Sequence, residues 1–519
     1  MTSIVKTAAV YGIDGFTVDV ECFTSGSIPK FSLVGLPDTA VKEAYDRIKA
    51  AVRSSGLEWP LTAITVNLAP ADRLKQETAF DLAILLAILR GTTMPSLNTD
   101  GKCFIGELSL SGDIRSVHGV LPMCLAAKEA GIKELYVPLD NAKEAAVVEG
   151  IRVYGIDNVV QLVGHLTGSL SIEPAPDLNE RYFAASYDGL PDFCDVKGQE
   201  TAKLALEIAA AGMHNILLIG PPGTGKSMLA KRLPGILPPM TFEESIETTR
   251  VHSVCGMLNG ETPLVISRPF RAPHHTMSSA SLIGGGRFPM PGEISLADNG
   301  VLFLDELAEF EKNATDALRQ PLEDGEVVIT RVNGRMTFPS RFMLVCAMNP
   351  CKCGYFGSDV RPCTCSPMLR EKYLAKISGP ILDRIDIQIE VSALSYQTLR
   401  DNRPRETSAD VRKRVLAARE RMLKRYAGTG IYANGQLTPA MIREYCVLDE
   451  EADKLLSLAF DRLGLSARGY DRILKLAKTI ADMDGVDIIG KNQIARAVQF
   501  RSLDRKYWHT GADAQPDPV

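Results

Sequence analysis

Hydrophobic and polar residues alternate in short runs through the first third of the chain. The runs Phe16–Val20 and Leu61–Val66 are rich in the residue types of strands, whereas Ala40–Ser54 and Phe80–Leu89 have the spacing of helices. Strands that alternate with helices are typical of an α/β fold. We therefore predict an α/β domain over residues 1–168.

A stretch rich in proline, glycine and polar residues follows at 169–190, and it has no sustained period. This composition is typical of a linker, so we place the main domain boundary there. Beyond it, four short apolar runs have the character of buried strands in a parallel sheet: Asn215–Ile219, Val301–Leu304, Phe342–Cys346 and Ile385–Ile389. They predict a second α/β unit over 191–395.

The pattern becomes helical in the last part of the chain. Five segments have the spacing of helices that bury one face: Ala409–Tyr426, Pro439–Tyr445, Glu450–Leu463, Ala467–Asp484 and Lys491–Arg501. They predict a helical domain over 396–507, followed by a disordered tail over 508–519.

Composition and charge narrow the class of protein. Hydrophobic residues make up 45% of the chain and charged residues 23%, which is typical of globular domains. The net charge of −5 argues against attraction of the whole molecule to DNA, so any such contact must be local. The longest apolar run, Ala79–Leu89, is shorter than the about 20 residues that span a bilayer. We therefore expect a soluble, cytoplasmic protein with no membrane partner.

A complete P-loop motif follows the predicted strand Asn215–Ile219 and precedes a predicted helix at Met228–Leu233. Backbone N–H groups of such a loop point at phosphate oxygens. We expect Lys226 to neutralise the β- and γ-phosphates of ATP and Ser227 to bind Mg²⁺. The residues predicted to bind the nucleotide are Gly220, Pro221, Pro222, Gly223, Thr224, Gly225, Lys226 and Ser227.

An apolar strand that ends in two carboxylates supplies the second ATPase motif, Val301–Glu306. We expect Asp305 to hold Mg²⁺, directly or through water, and Glu306 to act as the base toward the attacking water. The same pattern occurs at ordinary strand ends, but its combination with a P-loop favours the catalytic role. The two motifs together predict Mg²⁺-dependent ATP hydrolysis.

Four of the eleven cysteines are close in sequence: Cys351, Cys353, Cys363 and Cys365. Because the intervening residues include glycines and a proline, a loop at 350–366 can bring four thiolates around one tetrahedral Zn²⁺. Unligated or redox-active thiols are the alternative. The neighbouring histidines His274 and His275 have no partner at ligand spacing, so we expect them to form hydrogen bonds within a loop.

A β-hairpin is predicted where Val327–Arg331 and Arg335–Phe338 flank the turn signal at Asn333. Arg331 and Arg335 lie beside that turn, where they are candidates for contact with the phosphate backbone of DNA. A solvated hairpin that contacts no nucleic acid is the alternative.

These motifs resemble the YifB/ComM family of magnesium-chelatase-like AAA+ ATPases. The match includes Arg271–His275, Gly284–Gly286, Pro291–Ser295, Gly379–Asp386 and Leu465–Tyr470. The resemblance implies an AAA+ P-loop ATPase core with a C-terminal helical lid, assembled into a homo-oligomer, with a hexamer expected. It also implies an insertion between Pro263 and Ile294 that projects toward the pore of the ring. Arg287 would lie at its tip as a further candidate for DNA binding.

The resemblance implies three further ATPase residues. Asn349 matches the sensor that orients the attacking water, and Arg384 matches the arginine finger that reaches the neighbouring subunit's nucleotide. Arg468 matches the lid-domain arginine that senses the γ-phosphate, with Arg472 as a second candidate. A surface ion pair is the alternative for each arginine.

The segments Phe104–Arg115 and Ala126–Pro138 resemble the Lon protease domain, of the ribosomal protein S5 domain 2-like fold, and its relative in a bacterial recombination ATPase. A Lon-type peptidase needs a serine nucleophile and a lysine base. The matching positions hold Thr78 and Leu121, and leucine cannot accept a proton. We expect a non-proteolytic domain that acts as a scaffold or docks DNA.

The resemblance implies a DNA translocase or helicase that promotes branch migration on single-stranded or branched DNA during integration of transforming DNA by homologous recombination. The alternative is a chelatase-like motor that remodels a protein partner for metal insertion. An ATP-regulated peptidase is a third hypothesis. The predicted cofactors are ATP, Mg²⁺ and structural Zn²⁺.

Overall fold

The computed structural model describes residues 2–38, 41, 43–71, 75, 78–176, 178, 187, 189–258, 263–331, 334–359, 361–400, 403, 405–501 and 503–508. The turn residue Asn333, linker residues 177, 179–186 and 188, and tail residues 509–519 lie outside these ranges. Contacts divide the chain into two compact units. The first comprises 1–184 and 241–266, and the second comprises 185–240 and 267–519.

The first unit is built on a mixed β-sheet. Its strands are β1 (Thr2–Tyr11), β2 (Asp14–Ser25), β3 (Phe31–Val34), β4 (Ala63–Ala69), β5 (Lys102–Phe104), β6 (Glu107–Leu108), β7 (Ile114–Arg115), β8 (Glu134–Pro138) and β9 (Arg152–Ile156). Seven of them form one sheet in the order β3-β4-β2-β1-β5-β8-β9, and β6 pairs with β7. Strand β2 is antiparallel to both of its neighbours, whereas the other pairs in this sheet are parallel.

The helices of this unit lie at Ala44–Ser54, Asp81–Gly91, Val120–Glu129, Ala142–Ala145, Val159–Leu166 and Phe242–Val254. In the helix Asp81–Gly91, every residue except Arg90 is buried, as expected for an apolar helix in a core. Its one buried carboxylate, on Asp81, accepts two hydrogen bonds from Arg47 at 2.7 and 3.0 Å. That bidentate pair compensates the charge inside the core.

Residues 241–266, which fall within the predicted range of the ATPase core, belong by their contacts to the first unit. The helix Phe242–Val254 packs on the helix Val120–Glu129, and Ser253 Oγ donates to Glu144 at 2.5 Å. Since residues on both sides of the segment belong to the second unit, the core is discontinuous in sequence. The predicted domain ranges otherwise stay predictions.

The second unit contains a parallel sheet. Its strands are β10 (Ile216–Ile219), β11 (Phe270–Arg271), β12 (Gly284–Gly285), β13 (Met290–Pro291), β14 (Val301–Leu304), β15 (Glu326–Arg331), β16 (Gly334–Pro339), β17 (Met343–Met348) and β18 (Ile387–Glu390). Five of them pair in parallel in the order β11-β14-β17-β10-β18, and β12–β13 and β15–β16 are separate antiparallel pairs. Strands β10, β14 and β17 are buried throughout, which explains their unbroken apolar sequences. The prediction of a parallel α/β sheet is confirmed.

Helices surround this sheet and continue to the end of the unit. They lie at Glu200–Gly212, Lys226–Arg232, Ser279–Ile283, Glu293–Leu296, Lys312–Asp316, Arg319–Asp324, Pro367–Leu374, Gly379–Leu382, Tyr396–Arg400, Ser408–Arg425, Pro439–Tyr445, Glu450–Leu463, Ala467–Met483, Lys491–Gln499 and Leu503–Tyr507. The five helices predicted near the C-terminus are present, with ends that differ from the prediction by at most two residues. Their role as a lid stays a prediction. Among the described residues, no helix is long and apolar enough to cross a bilayer.

Candidate active site

The loop after β10 borders a cavity of about 370 Å³. Gly223 and Gly225 have φ angles of 78° and 89°, a left-handed conformation that glycine adopts without strain. A Cβ atom on Gly220 would come within 2.2 Å of the carbonyl oxygen of Val391. The motif therefore needs glycine at these three positions, which give the loop the shape that exposes its backbone to the cavity.

Lys226 is nearly buried at the base of this cavity, with 8% of its surface exposed. Its Nζ atom donates to the carbonyl oxygens of Gly220 and Pro221 at 2.7 and 2.9 Å, and lies 3.3 Å from Asn349 Oδ1. Burial lowers the pKa of Lys226 to about 8, although the negative charge of nearby carboxylates raises it. An anion in the cavity would favour the charged form and raise this pKa again.

Ser227 and Asp305 meet at the mouth of the cavity, where Ser227 Oγ donates to Asp305 Oδ2 at 2.6 Å. The other carboxylate oxygen, Asp305 Oδ1, accepts from the backbone N–H of Glu306 at 2.9 Å. A hydroxyl and a carboxylate side by side are hard oxygen donors of the kind that Mg²⁺ prefers beside phosphates. The donor set therefore fits the metal that the sequence analysis assigned to these residues.

Asn349 follows β17 directly, and β17 lies between β10 and β14 in the sheet. Because the carboxyl ends of parallel strands meet at one edge, Asn349 lines the same cavity as Lys226 and Glu306. The residues that border this cavity are Pro222, Gly223, Thr224, Gly225, Lys226, Ser227, Met228, Asp305, Glu306, Met348 and Asn349. The structure thus brings the P-loop, the two carboxylates and the predicted sensor together.

Glu306 has a neighbour that the sequence analysis did not assign. Its Oε2 atom lies 3.3 Å from His275 Nδ1. His274 forms the loop hydrogen bond expected for both histidines, between its Nδ1 and Thr276 Oγ1 at 2.9 Å. The expectation for His275 differs from the structure because its partner follows another strand, which local spacing does not reveal.

Arg384 and Arg468 lie at a different cavity, of about 580 Å³, in the same unit. Both contact one carboxylate: Arg384 Nη2 donates to Glu323 Oε2, and Arg468 Nη2 lies 3.7 Å from Glu323 Oε1. Arg472 borders the same cavity, with its Nε atom 3.7 Å from Asp386 Oδ1. Among the described residues that border the P-loop cavity, none is an arginine. Arg384, Arg468 and Arg472 border the larger cavity instead.

The four cysteines of the predicted metal site converge, and their sulfur atoms all lie within 4.8 Å of one another. The sulfur–sulfur distance is 3.4 Å for Cys351–Cys353, 3.7 Å for Cys351–Cys363 and 3.6 Å for Cys353–Cys363. Tetrahedral Zn²⁺ with Zn–S bonds of about 2.3 Å requires sulfur atoms about 3.8 Å apart. The donor set and its spacing therefore fit Zn²⁺, and Cys365 completes the set.

The protonation of Cys353 also suits a metal ligand. Burial raises the pKa of its thiol, but hydrogen bonds from the backbone N–H groups of Tyr355 and Thr364, together with those to the Cys351 and Cys365 side chains, outweigh burial and bring the pKa down to about 5. The thiolate is the form that binds metal and the form that is open to oxidation. All four cysteines are free thiols in the structure.

The cysteine loop touches the P-loop. Gly354 has a φ of 87°, and a Cβ atom there would lie 2.6 Å from Cδ of Pro222 and 3.9 Å from Cγ of Asn349. Because Gly354 is bonded to Cys353, the position of Cys353 in the cluster determines how closely Gly354 approaches Pro222. The cluster therefore supports one wall of the nucleotide cavity.

The predicted hairpin β15–β16 packs against the hairpin β12–β13, which lies in the insertion implied by the resemblance. A Cβ atom on Gly284 would meet Cδ1 of Ile329 at 2.9 Å, and one on Gly285 would lie 3.6 Å from Arg331 Nη2. Arg287, between β12 and β13, is exposed, as are Arg331 and Arg335 at the paired ends of β15 and β16. The three arginines predicted to bind DNA therefore lie on neighbouring hairpins.

The peptidase positions of the first unit do not form a nucleophile and base. Thr78 Oγ1 donates to the carboxylate of Glu107. Leu121 is completely buried in a hydrophobic cluster, and its backbone N–H donates to Glu144 at 2.8 Å. The side chain at this position offers no group that can accept a proton.

Three family models match the chain in succession. The model described as subunit ChlI of Mg-chelatase matches residues 20–141, magnesium chelatase subunit ChlI matches 192–399, and the ChlI C-terminal model matches 405–501. The first match falls on the sheet and helices of the first unit. The second covers the P-loop, Asp305, Glu306, Asn349 and the cysteine loop.

Similar proteins cover nearly the whole chain. The competence protein ComM of Haemophilus influenzae is 44% identical over 509 residues, which span 97% of this chain and 98% of that protein. The YifB protein of Escherichia coli is 42% identical over 516 residues, 98% of each chain. The magnesium-chelatase 38 kDa subunit of Rhodobacter capsulatus is 26% identical over 329 residues, 59% of this chain and 84% of that subunit.

Proposed function

Because the chain belongs to the family of magnesium-chelatase-like proteins that includes ComM and YifB, we propose that it is a cytoplasmic Mg²⁺-dependent ATPase that moves along DNA as a homo-hexameric ring. One observation carries the ATPase step: Lys226, Ser227, Asp305, Glu306 and Asn349 line a single cavity at the carboxyl edge of a parallel sheet. We further propose that this movement promotes branch migration during integration of transforming DNA; the name of the similar competence protein ComM agrees with a role in transformation but names no activity.

Each group in the cavity has a separate task in hydrolysis. Lys226 and the loop backbone bind the β- and γ-phosphates, while Ser227 and Asp305 hold Mg²⁺, which neutralises phosphate charge when bound. Glu306 takes a proton from the attacking water, and Asn349 fixes the orientation of that water. These groups account for nucleotide binding and for activation of the water. An arginine that stabilises the charge on the transferred phosphoryl group is not among them.

A neighbouring subunit supplies that cation. Arg384 and Arg468 lie away from their own P-loop cavity and share the carboxylate of Glu323. We infer that this pair faces the nucleotide of the next subunit, where Arg384 stabilises the charge that develops on the transferred phosphoryl group. Hydrolysis then depends on assembly of the ring.

The neighbouring hairpins supply the DNA contact. Arg287, Arg331 and Arg335 are exposed there, and such arginines bind phosphates without reading the base sequence. A local basic surface also agrees with a net charge of −5 for the whole chain. Translocation along DNA of any sequence requires this kind of contact.

Replacing Arg331 and Arg335 together with Ala is expected to weaken binding to single-stranded DNA and to reduce the slope of log affinity against log salt by about 1.4, since each lost phosphate contact removes about 0.7. Fluorescence anisotropy over a salt series measures both quantities. The control variant replaces Arg496, which forms an exposed ion pair with Asp484 in the helical domain. An unchanged slope in the double variant would show that Arg331 and Arg335 do not contact the DNA backbone.

We also propose that the four cysteines hold one structural Zn²⁺. Replacing Cys353 with Ser should lower the zinc content from one ion per chain to near zero and, through Gly354 and Pro222, raise the KM for ATP. Elemental analysis and steady-state kinetics measure the two effects. Cys194, a cysteine outside the cluster, gives the control substitution. Zinc-free native protein with normal kinetics would show that the thiols are unligated.

A chelatase-like motor that remodels a protein partner is the second candidate, favoured by the matches to magnesium-chelatase models over all three parts of the chain. It shares the nucleotide site but needs no DNA. The buried side chain of Leu121 cannot accept a proton, which argues against the peptidase hypothesis.

A further inference from the structure

Arg384 lies at the edge of the parallel sheet opposite to the P-loop. Strands β10 and β18 pair in parallel, with Ile216 opposite Ile387. The P-loop follows the end of β10, whereas Arg384 precedes the start of β18 by three residues. Because Arg384 is the arginine proposed to reach the next subunit, the groups that hold residues 384–386 at this edge determine where its side chain points.

Asn215 holds the backbone of residues 384–386 at the amino end of the sheet. Its Nδ2 atom donates to the carbonyl oxygen of Arg384 at 2.9 Å, and its Oδ1 atom accepts from the backbone N–H of Leu344 at 2.8 Å. Its own carbonyl oxygen accepts from the N–H groups of Asp386 and Ile387 at 2.9 and 3.0 Å. One residue thus joins the amino ends of β10, β17 and β18, and fixes the carbonyl group of Arg384 between them.

Asp386 holds the same segment through its side chain. Its Oδ2 atom accepts from the backbone N–H of Asn215 at 3.1 Å and lies 3.4 Å from Nδ1 of His214, which is completely buried. Its Oδ1 atom lies 3.7 Å from Arg472 Nε. Burial raises the pKa of Asp386, but the contact with His214 and the positive charge of Arg472 outweigh burial and bring the pKa down to about 2. The carboxylate is therefore ionised at neutral pH.

Arg472 anchors residues 384–386 to the helical part of the unit. It lies in the helix Ala467–Met483, which packs on the helix Glu200–Gly212. Its Nη1 atom donates to the carbonyl oxygen of Ile385 at 3.3 Å, and its side chain and that of Asp386 are both largely buried. Attraction between opposite charges is stronger where water is excluded. The charge of Asp386 therefore keeps the Arg472 guanidinium against the backbone beside Arg384.

We propose that Asp386 is a positioning residue that aims Arg384 at the nucleotide of the next subunit. This inference rests on the proposed function of Arg384. Asp386 touches no nucleotide; it ties the backbone beside Arg384 to Asn215 on one side and to Arg472 on the other. Loss of its charge releases the anchor at Arg472 and lets the Arg384 side chain move, while the P-loop cavity, which Asp386 does not border, keeps its shape.

Replacing Asp386 with Asn is expected to lower kcat for ATP by about 10²-fold, the effect of displacing a catalytic group by about 1 Å, and to leave KM unchanged. Asn215→Ala removes the donor to the Arg384 carbonyl and should lower kcat in the same way, so it answers the question if Asp386→Asn is unstable. The control is Asp484→Asn, which removes an exposed pair with Arg496 and should keep the native kcat. Steady-state kinetics and the melting temperature of each variant are measured together.

A double variant separates positioning from general damage to the fold. If Asp386 acts through Arg384, Asp386→Asn combined with Arg384→Ala should be no slower than Arg384→Ala alone, about 10³-fold below native. Independent effects would multiply to about 10⁵-fold. Asp386→Asn should also regain activity when mixed with an equal amount of Glu306→Gln, because some interfaces then join an intact Glu306 to an intact Asp386 of the next subunit. A mixture of Asp386→Asn with Arg384→Ala should stay inactive.

Other results overturn the inference. A native kcat in both Asp386→Asn and Asn215→Ala would show that the placement of Arg384 does not depend on these contacts. A double variant slower than Arg384→Ala by the full effect of Asp386→Asn would show that Asp386 acts elsewhere. If Arg384→Ala is itself not restored by Glu306→Gln, the proposed action of Arg384 between subunits is refuted, whereas a double variant no slower than Arg384→Ala would still show that Asp386 positions Arg384.

Discussion

Replacing Glu306 with Gln is expected to lower kcat for ATP hydrolysis by about 10²- to 10⁴-fold, because the amide cannot take the proton of the attacking water. ATP binding should persist, since Lys226, Ser227 and Asp305 remain. Binding of a fluorescent ATP analogue and single-turnover hydrolysis measure the two effects separately.

Glu309 provides the matched control for this substitution. It lies three residues farther along the chain and forms an exposed ion pair with Lys376 at 3.2 Å. Such pairs contribute little to stability, so Glu309→Gln should keep the native kcat. If Glu306→Gln hydrolysed ATP at nearly the native rate, Glu306 would not be the base.

Replacing Arg384 with Ala is expected to lower kcat by about 10³-fold or more, the effect of removing an arginine finger. The loss should not extend to ATP binding, because Arg384 lies at a different cavity from the P-loop. Arg496→Ala, which removes an exposed pair with Asp484, is the control and should retain activity. A normal kcat in Arg384→Ala would show that Arg384 takes no part in catalysis and that its ion pair with Glu323 is only structural.

Mixing the two inactive variants tests whether Arg384 acts between subunits. In rings of equal parts Glu306→Gln and Arg384→Ala, about one quarter of the interfaces join an intact Glu306 to an intact Arg384 of the next subunit. Activity should therefore reappear on mixing. If the mixture stayed as inactive as its components, Arg384 would act within its own chain or not at all.

Local sequence was sufficient for the parts of the site that a single segment forms. The P-loop needs glycine at Gly220, Gly223 and Gly225 for conformational reasons, so its pattern is recognisable without the fold. Asp305 was predictable because it directly follows a buried apolar strand, whereas the role of Asn349 was implied by the resemblance to the family. The helices near the C-terminus were found because each buries one face of a regular repeat.

Contacts between distant segments were not predictable in the same way. Glu323 and Arg384 are 61 residues apart, and nothing in either segment specifies the other. The pairing of His275 with Glu306 depends on the register of β11, a strand of two residues. The segment 241–266 falls within the predicted core range 191–395, whereas its helix is held by contacts to the first unit.

The central claim is that ATP hydrolysis serves movement on DNA, and the most direct test measures kcat for ATP without DNA and with single-stranded, duplex and branched DNA. Glu306→Gln, assayed in parallel, sets the background. We expect stimulation by single-stranded or branched DNA that is absent in Glu306→Gln. Hydrolysis that proceeds at the same rate with and without every DNA would contradict it and favour a motor that remodels a protein partner.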